Sequence, residues 1–129
     1  MYNETNTDKM KQNNDNILFN ARGFMGDPKL RTCSAEAIGV YYFLLLQETP
    51  CKLSLSGTPY AEQLKHHRTE RSSLTVFADY LNEQAPTREP QQTLRGLQEL
   101  YDRDIIIVTG DILYIRIEYD YVVHGSNKT

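Results

Sequence analysis

The side chains best suited to chemistry in this chain are long hydrogen-bonding groups on one side of a helical segment. The segment follows a cap-type residue, Thr87, and its apolar stripe is formed by Leu94, Leu97, Leu100 and Tyr101. An arginine fork matches the major-groove edge of guanine, and a glutamine amide matches adenine. We therefore predict that the polar side contacts DNA bases through Arg88, Gln91, Gln92, Arg95 and Gln98.

Acidic residues on or beside the same helix support a different interpretation. Glu89, Glu99 and Asp102 would repel the phosphates of DNA. An ordinary solvated helix face is therefore the alternative to base contact, and the charge pattern leaves both interpretations open.

A basic cluster precedes this helix. It contains Lys65, His66, His67, Arg68 and Arg71. A segment of this kind can neutralise phosphates without reading sequence, so we predict phosphate contacts from Lys65, Arg68 and Arg71. Glu62 and Glu70 flank the cluster and dilute its charge, which makes a solvated loop the alternative.

Metal binding and catalysis have little support in the sequence. The adjacent His66 and His67 point in different directions on a helix or a strand, and no third ligand is close in sequence. The chain has no glycine-rich phosphate loop and no zinc-protease or nucleophile-elbow motif. We therefore expect no enzyme activity, no metal and no cofactor.

Length and composition are those of one globular domain. The chain has 129 residues, 40% of them hydrophobic, and a formal net charge of -3 that gives no global reason to bind nucleic acid. Cys33 and Cys51 lack the density of a disulfide scaffold and are expected to be free buried thiols. No apolar stretch reaches membrane-spanning length and no signal-peptide core is present, which predicts a cytoplasmic protein without membrane contact.

The hydrophobic periodicity predicts a helical core followed by a hairpin. Helices are predicted from Ser34 to Gln47, around Leu74 to Asn82 and after Thr87, with a weaker one around Tyr60 to His67. Strands are predicted at Lys52 to Leu55, Ile105 to Val108 and Ile112 to Ile117. The last two strands join through Thr109-Gly110-Asp111, which suits a tight turn. Asp27-Pro28 is expected to cap a further helical turn.

These elements predict an α+β winged helix-turn-helix domain, with a C-terminal β-hairpin wing and a short third strand. We expect the domain at residues 17–123, with flexible tails at 1–16 and 124–129. The shared core is expected to contain Leu45, Leu81, Leu97 and Ile115, with the strand near Leu53 against the hairpin. The final strand is expected to place on one face Leu113, Ile115, Ile117, Tyr119 and Tyr121.

Three short motifs carry a resemblance to a known family. They are Asn20-Ala21-Arg22, Asp27-Pro28-Lys29-Leu30 and the run from Gly39 to Leu45. In this order they resemble the start of the N-terminal winged-helix domain of phage and plasmid replisome-organiser or replication-initiator proteins. The chain departs from that pattern by an extra stretch between Ser56 and Ser73.

The resemblance implies sequence-directed binding of double-stranded DNA, or assembly with a replisome protein, and identifies no catalytic residue. The function expected from the sequence is DNA binding in the replication or control of a mobile element. The alternative is a protein-interaction module, which the acidic balance and the expected acidic strand face of Glu118 and Asp120 would suit. The oligomeric state is left open, with a homodimer among the alternatives.

Overall fold

The computed structural model of the chain describes residues 18–86 and 88–123. The expected tails at 1–16 and 124–129, the expected start of the domain at Ile17 and the expected cap Thr87 lie outside these residues. The described part is an α+β fold with a small three-stranded antiparallel sheet, so the predicted class is confirmed at this level.

Helices make up most of the described fold, with short 3₁₀ turns at residues 64–66 and 117–119. The α-helices are α1 (Ala21–Gly26), α2 (Pro28–Arg31), α3 (Ala35–Leu45), α4 (Tyr60–Gln63), α5 (Glu70–Gln84) and α6 (Pro90–Asp102). The Ser34 hydroxyl accepts the Ala37 N–H at 3.1 Å and caps α3. The Asp27 carboxylate accepts the Lys29 N–H at 2.9 Å, and Pro28 occupies the first turn of α2, which confirms that cap.

The strands form two antiparallel groups. They are β1 (Leu18–Phe19), β2 (Lys52–Ser54), β3 (Ile106–Thr109), β4 (Ile112–Ile115) and β5 (Val122–Val123). The three-stranded sheet has the order β2-β4-β3, and β1 pairs with β5. Leu53 lies opposite Leu113, which confirms the predicted short strand against the hairpin. Gly110 opens the two-residue turn with φ +60°, a backbone angle that favours glycine.

One hydrophobic core joins the long helices to the inner face of the sheet. Leu45, Leu81, Leu97 and Ile115 are all buried in it, as predicted. Tyr41 and Phe77 are among its largest fully buried side chains. The Tyr41 hydroxyl donates to the Tyr119 carbonyl at 2.6 Å, so this buried donor is satisfied.

The last predicted strand is shorter than expected. Lys52 lies opposite Tyr114 and Ile106 opposite Ile115, so both neighbouring strands begin at this level and neither extends further. After a last backbone hydrogen bond from the Arg116 N–H to the Ile105 carbonyl at 2.8 Å, the chain leaves the sheet and turns. The strand face expected to continue through Ile117, Tyr119 and Tyr121 is therefore wrong, and Ile117 is 85% exposed.

The segment after β4 instead contacts the first elements of the described fold. Val122 pairs with Phe19 across the β1–β5 ladder. The Tyr121 hydroxyl donates to the Asp27 carboxylate at 2.5 Å, and this hydrogen bond raises the pKa of Tyr121 to about 12. The same carboxylate caps α2, so one side chain holds both ends of the described chain together.

The helix after Thr87 begins later than predicted. Its N-cap is Glu89, which makes no side-chain capping bond, and Pro90 is its first residue. Proline disfavours the helical conformation at the residue before it. Proline itself costs no hydrogen bond at the first helical position, because the N–H there has no partner within the helix. Arg88 therefore precedes α6 and does not belong to it.

The stretch that departs from the family pattern, Ser56–Ser73, is structured. It contains α4, the 3₁₀ turn at 64–66 and the first turn of α5, which Thr69 caps by accepting the Ser72 N–H at 3.0 Å. The predicted weak helix around Tyr60 to His67 is thus one α-helical turn followed by a 3₁₀ turn.

Helix α6 packs tightly against α3 at Gly96. A Cβ atom at Gly96 would lie 2.7 Å from the Val40 Cγ2 atom and 2.8 Å from the Glu36 carbonyl oxygen. Both distances are too short for a carbon contact, and the oxygen belongs to a helix backbone that cannot move alone. Glycine at this position is therefore required by the approach of the two helices.

We predict that Gly96→Ala destabilises the domain. The overpacking cost of about 1–3 kcal/mol outweighs the gain in helix propensity of at most about 1 kcal/mol. Urea unfolding followed by circular dichroism should show a lower midpoint. The matched control is Gly26→Ala at the end of α1, where nothing lies within 4 Å of the new carbon. An unchanged midpoint for Gly96→Ala would show that α3 and α6 separate without cost.

Candidate nucleic-acid interface

Helix α6 presents one side to the core and the other outward. Its buried residues are Thr93, Gly96, Leu97 and Leu100. Gln91 and Arg95 are exposed and Gln98 is half-buried on the opposite side. The predicted polar side of the helix therefore exists, although its members differ in what they contact.

Arg95 is held by a carboxylate of α3. Its Nε and Nη2 atoms donate to the two carboxylate oxygens of Glu36 at 3.1 and 2.6 Å. The bidentate hydrogen bond to Arg95 lowers the pKa of Glu36, so the pair is ionised at neutral pH. The fork that would bind guanine is thus already occupied in the free protein.

Arg71 is held in the same manner. Its Nε and Nη2 atoms donate to the two carboxylate oxygens of Asp102, each at 2.9 Å. Hydrogen bonding to Arg71 lowers the pKa of Asp102. Since Asp102 is the last residue of α6, this pair connects the start of α5 to the end of α6.

Arg88 packs against α3. Its guanidinium carbon lies 5.9 Å from the centre of the Phe43 ring, and a Cβ at Gly39 would lie 2.6 Å from its Nη2 atom. The side chain is half-buried there. Arg88 and Arg95 therefore do not form one continuous row on α6 as the sequence had suggested.

The glutamines of α6 are less constrained. Gln91 and Gln98 make no side-chain hydrogen bond among the described residues. Gln92 is half-buried and shares the helix side of Glu99, seven residues later, which faces the start of α3. The outward amides of this helix are thus Gln91 and Gln98.

The predicted basic cluster divides into two parts. Arg71 joins the end of α6, whereas Lys65, His67 and Arg68 line a groove whose opposite wall is the hairpin turn at Gly110 and Asp111. Lys65 pairs with Glu62 at 3.3 Å in a highly exposed contact. Arg68 is exposed and has no carboxylate partner among the described residues. It is therefore the arginine of the cluster most available to a phosphate.

Two polar contacts that orient α6 were missed by the sequence analysis. The Glu99 carboxylate accepts the Ser34 N–H at 2.9 Å and the Ser34 hydroxyl at 2.6 Å. The buried Thr93 hydroxyl donates to the Asn82 side-chain oxygen at 2.7 Å, and the Asn82 amide donates to the Pro90 carbonyl at 3.2 Å. The threonine inside an apolar stripe was the signal available for the second contact, because a buried hydroxyl needs a partner.

The described residues contain neither a metal-ligand cluster nor a disulfide. They contain no group of three or more side chains that could hold a metal ion. Cys33 and Cys51 are free thiols, but only Cys51 is buried as predicted, because Cys33 is half-buried. Cys51 is buried and donates to the Asp120 carboxylate at 3.2 Å, and burial raises the pKa of its thiol. None of the described helices is long and apolar enough to cross a membrane.

Comparison of the chain with models of known protein families, with curated proteins and with solved structures finds no match.

We predict that the Glu99 contact stabilises the fold in a pH-dependent manner. Burial raises the pKa of Glu99, but the Ser34 hydrogen bonds and Arg103 lower it further, so the net shift is downward. The stabilisation is therefore complete above the unfolded glutamate pKa of about 4.3 and is lost as the pH falls through the lower folded value. Glu99→Gln should cost about 1 kcal/mol at neutral pH.

Urea unfolding at a series of pH values tests this prediction. The stability difference between the parent and Glu99→Gln should narrow as the pH falls below about 4. Glu48→Gln is the matched control, because Glu48 is exposed and makes no ion pair among the described residues. A difference that stays constant with pH would assign the effect to packing and not to charge.

Proposed function

We propose that the chain is a winged helix-turn-helix domain that binds double-stranded DNA. The observation that carries the proposal is the order of its elements. Helix α3, strand β2, helices α5 and α6 and the β3–β4 hairpin follow one another, and the sheet order β2-β4-β3 places the first strand beside the last. The helical pair α5 and α6 is followed by a β-hairpin that shares a sheet with β2. This order supports the proposal that α6 is the reading helix and that the hairpin is the adjacent wing.

The surface chemistry supports two kinds of contact within this proposal. The outward side of α6 offers uncharged amides, which suit base edges in the major groove. The groove between residues 64–73 and the hairpin turn offers Arg68 and Lys65, which suit phosphates. The process proposed for this DNA binding is replication initiation or control of a mobile element, as the family resemblance of the sequence implies.

Weak non-specific affinity is expected from the charge distribution. The formal net charge is -3, and several arginines are already paired with carboxylates, so few cations remain to release counterions from DNA. Asp111 and Glu70 line the same groove as Arg68 and oppose phosphate there. Attraction to the backbone therefore depends on a small number of unpaired side chains.

We predict that Arg68→Ala weakens binding to all duplex sequences about equally. Loss of one phosphate contact should reduce the slope of log K against log salt by about one unit. The measurement is a fluorescence anisotropy titration of mixed-sequence duplex DNA at low and moderate salt. Arg22→Ala on α1 is the control, because it removes an exposed arginine elsewhere in the fold. No binding by the folded parent protein at low salt would reject the proposed function.

We predict that Glu36→Gln raises duplex affinity. The substitution removes the carboxylate that holds Arg95, and an exposed pair of this kind is weak, so affinity should rise by no more than about fivefold. Glu48→Gln changes the net charge equally without releasing an arginine. Equal effects in the two variants would show that net charge, and not Arg95, controls affinity.

A protein-interaction module is the second candidate, and an exposed apolar patch favours it. Tyr42 in the last turn of α3 is 39% exposed and Leu46, the C-cap of that helix, is 64% exposed. The Phe19 ring lies 5.7 Å from that of Tyr42. The acidic strand face expected of Glu118 and Asp120 does not support this candidate. Glu118 lies in a 3₁₀ turn and pairs with Arg116, and Asp120 accepts from Cys51. Absence of DNA binding by the folded parent protein would favour the protein-interaction module over the DNA-binding domain.

A further inference from the structure

We propose that α6 reads adenine through Gln91 and Gln98, and that Arg95 does not read guanine. The inference rests on the proposed DNA binding and concerns its base preference. It follows from which hydrogen-bonding groups on the outward side of α6 are free and which are occupied.

The arginines near α6 are committed to other groups. Arg95 donates to both carboxylate oxygens of Glu36, and Arg71 donates to both oxygens of Asp102. Specific contact with guanine requires the same two-pronged fork. To bind guanine, the Arg95 fork would have to leave the Glu36 carboxylate, which therefore competes with the base edge for the same donors. Arg88 lies over Phe43 on α3 and offers no replacement.

Within the described part of the chain, the two outward glutamines, unlike these arginines, are not committed to other side chains. Their side chains make no hydrogen bond among the described residues. Gln91 and Gln98 are seven residues apart, which is close to two full helical turns, so both lie on the same side. Their separation along the axis is about 10 Å, which is about three steps of a DNA strand at ~3.4 Å each. Both amides can therefore face one major groove.

The chemistry of an amide selects adenine. Glutamine has one acceptor and a donor group, and adenine presents the complementary N7 acceptor and N6 donor in the major groove. Guanine presents two acceptors there, which an amide cannot satisfy equally. Leu94 is half-buried between the two glutamines along the helix, where an apolar side chain suits the methyl group of thymine. The outward surface of α6 therefore fits two A·T pairs, one facing each glutamine.

The experiment measures base preference directly. The protein is equilibrated with a randomised duplex library at low salt, the bound fraction is sequenced, and affinities for the selected duplex are measured by fluorescence anisotropy. We expect adenine at two positions about three base pairs apart. Replacing either adenine with 7-deazaadenine, which lacks the N7 acceptor, should weaken binding of that duplex.

Variants assign each position to a side chain. Gln91→Ala and Gln98→Ala should each abolish the preference at one position and lower affinity for the selected duplex by about five- to a hundredfold. Gln91→Glu carries only acceptors and should shift the preference at its position from adenine to cytosine. Gln63→Ala on α4 is the matched control, because it removes an exposed glutamine that makes no side-chain hydrogen bond among the described residues. Circular dichroism melting confirms that each variant is folded.

The outcomes separate this inference from the proposed function. Duplex binding with a guanine preference that Arg95→Ala removes would overturn the inference and leave DNA binding intact. A base preference that survives in both glutamine variants would do the same. Absence of duplex binding by the folded parent protein at low salt would overturn the proposed function and this inference together.

Discussion

The approach of α6 to α3 at Gly96 is the constraint on which the rest of the structure depends. With no side chain at this position, the Val40 side chain and the Glu36 carbonyl come within direct contact of the α6 backbone. This proximity brings Glu36 to Arg95 and Ser34 to Glu99, so the ion pair and the Ser34–Glu99 hydrogen bonds both follow from one packing contact. A wider separation would lose the polar contacts together with the apolar ones, because all of them span the same pair of helices.

The paired charges have a consequence for the proposed recognition of DNA. Exposed ion pairs add little to folding stability, yet they determine which groups on α6 remain available. Glu36 and Asp102 remove two arginine forks from the outward surface and leave neutral amides there. The outward surface is therefore less attractive to phosphate than the sequence suggested. The proposed binding at this surface depends more on the geometry of hydrogen bonds.

Local signals in the sequence predicted much of the fold. Ser34 and Asp27-Pro28 act within one helical turn, and the hairpin at Gly110 depends on two residues, so neighbouring residues alone determine these features. The end of β4 was mispredicted because the alternation of apolar residues continues to Tyr121, whereas the partner strands do not. The site was less predictable, since the pairing of Arg95 with Glu36 joins residues 59 positions apart and depends on how the helices cross.

In the proposed mode of DNA binding, attraction to DNA and discrimination between bases are physically separate. Unpaired cations act on phosphates over about 10 Å at moderate salt, and Arg68 in the groove beside the hairpin turn meets this requirement. Base reading needs short hydrogen bonds of fixed direction, which α6 can supply because Gly96, Thr93 and Glu99 fix its position against α3 and α5. A helix whose position is fixed before binding loses little entropy when it binds. Low net attraction is therefore compatible with marked discrimination between sequences, provided that the helix stays in place.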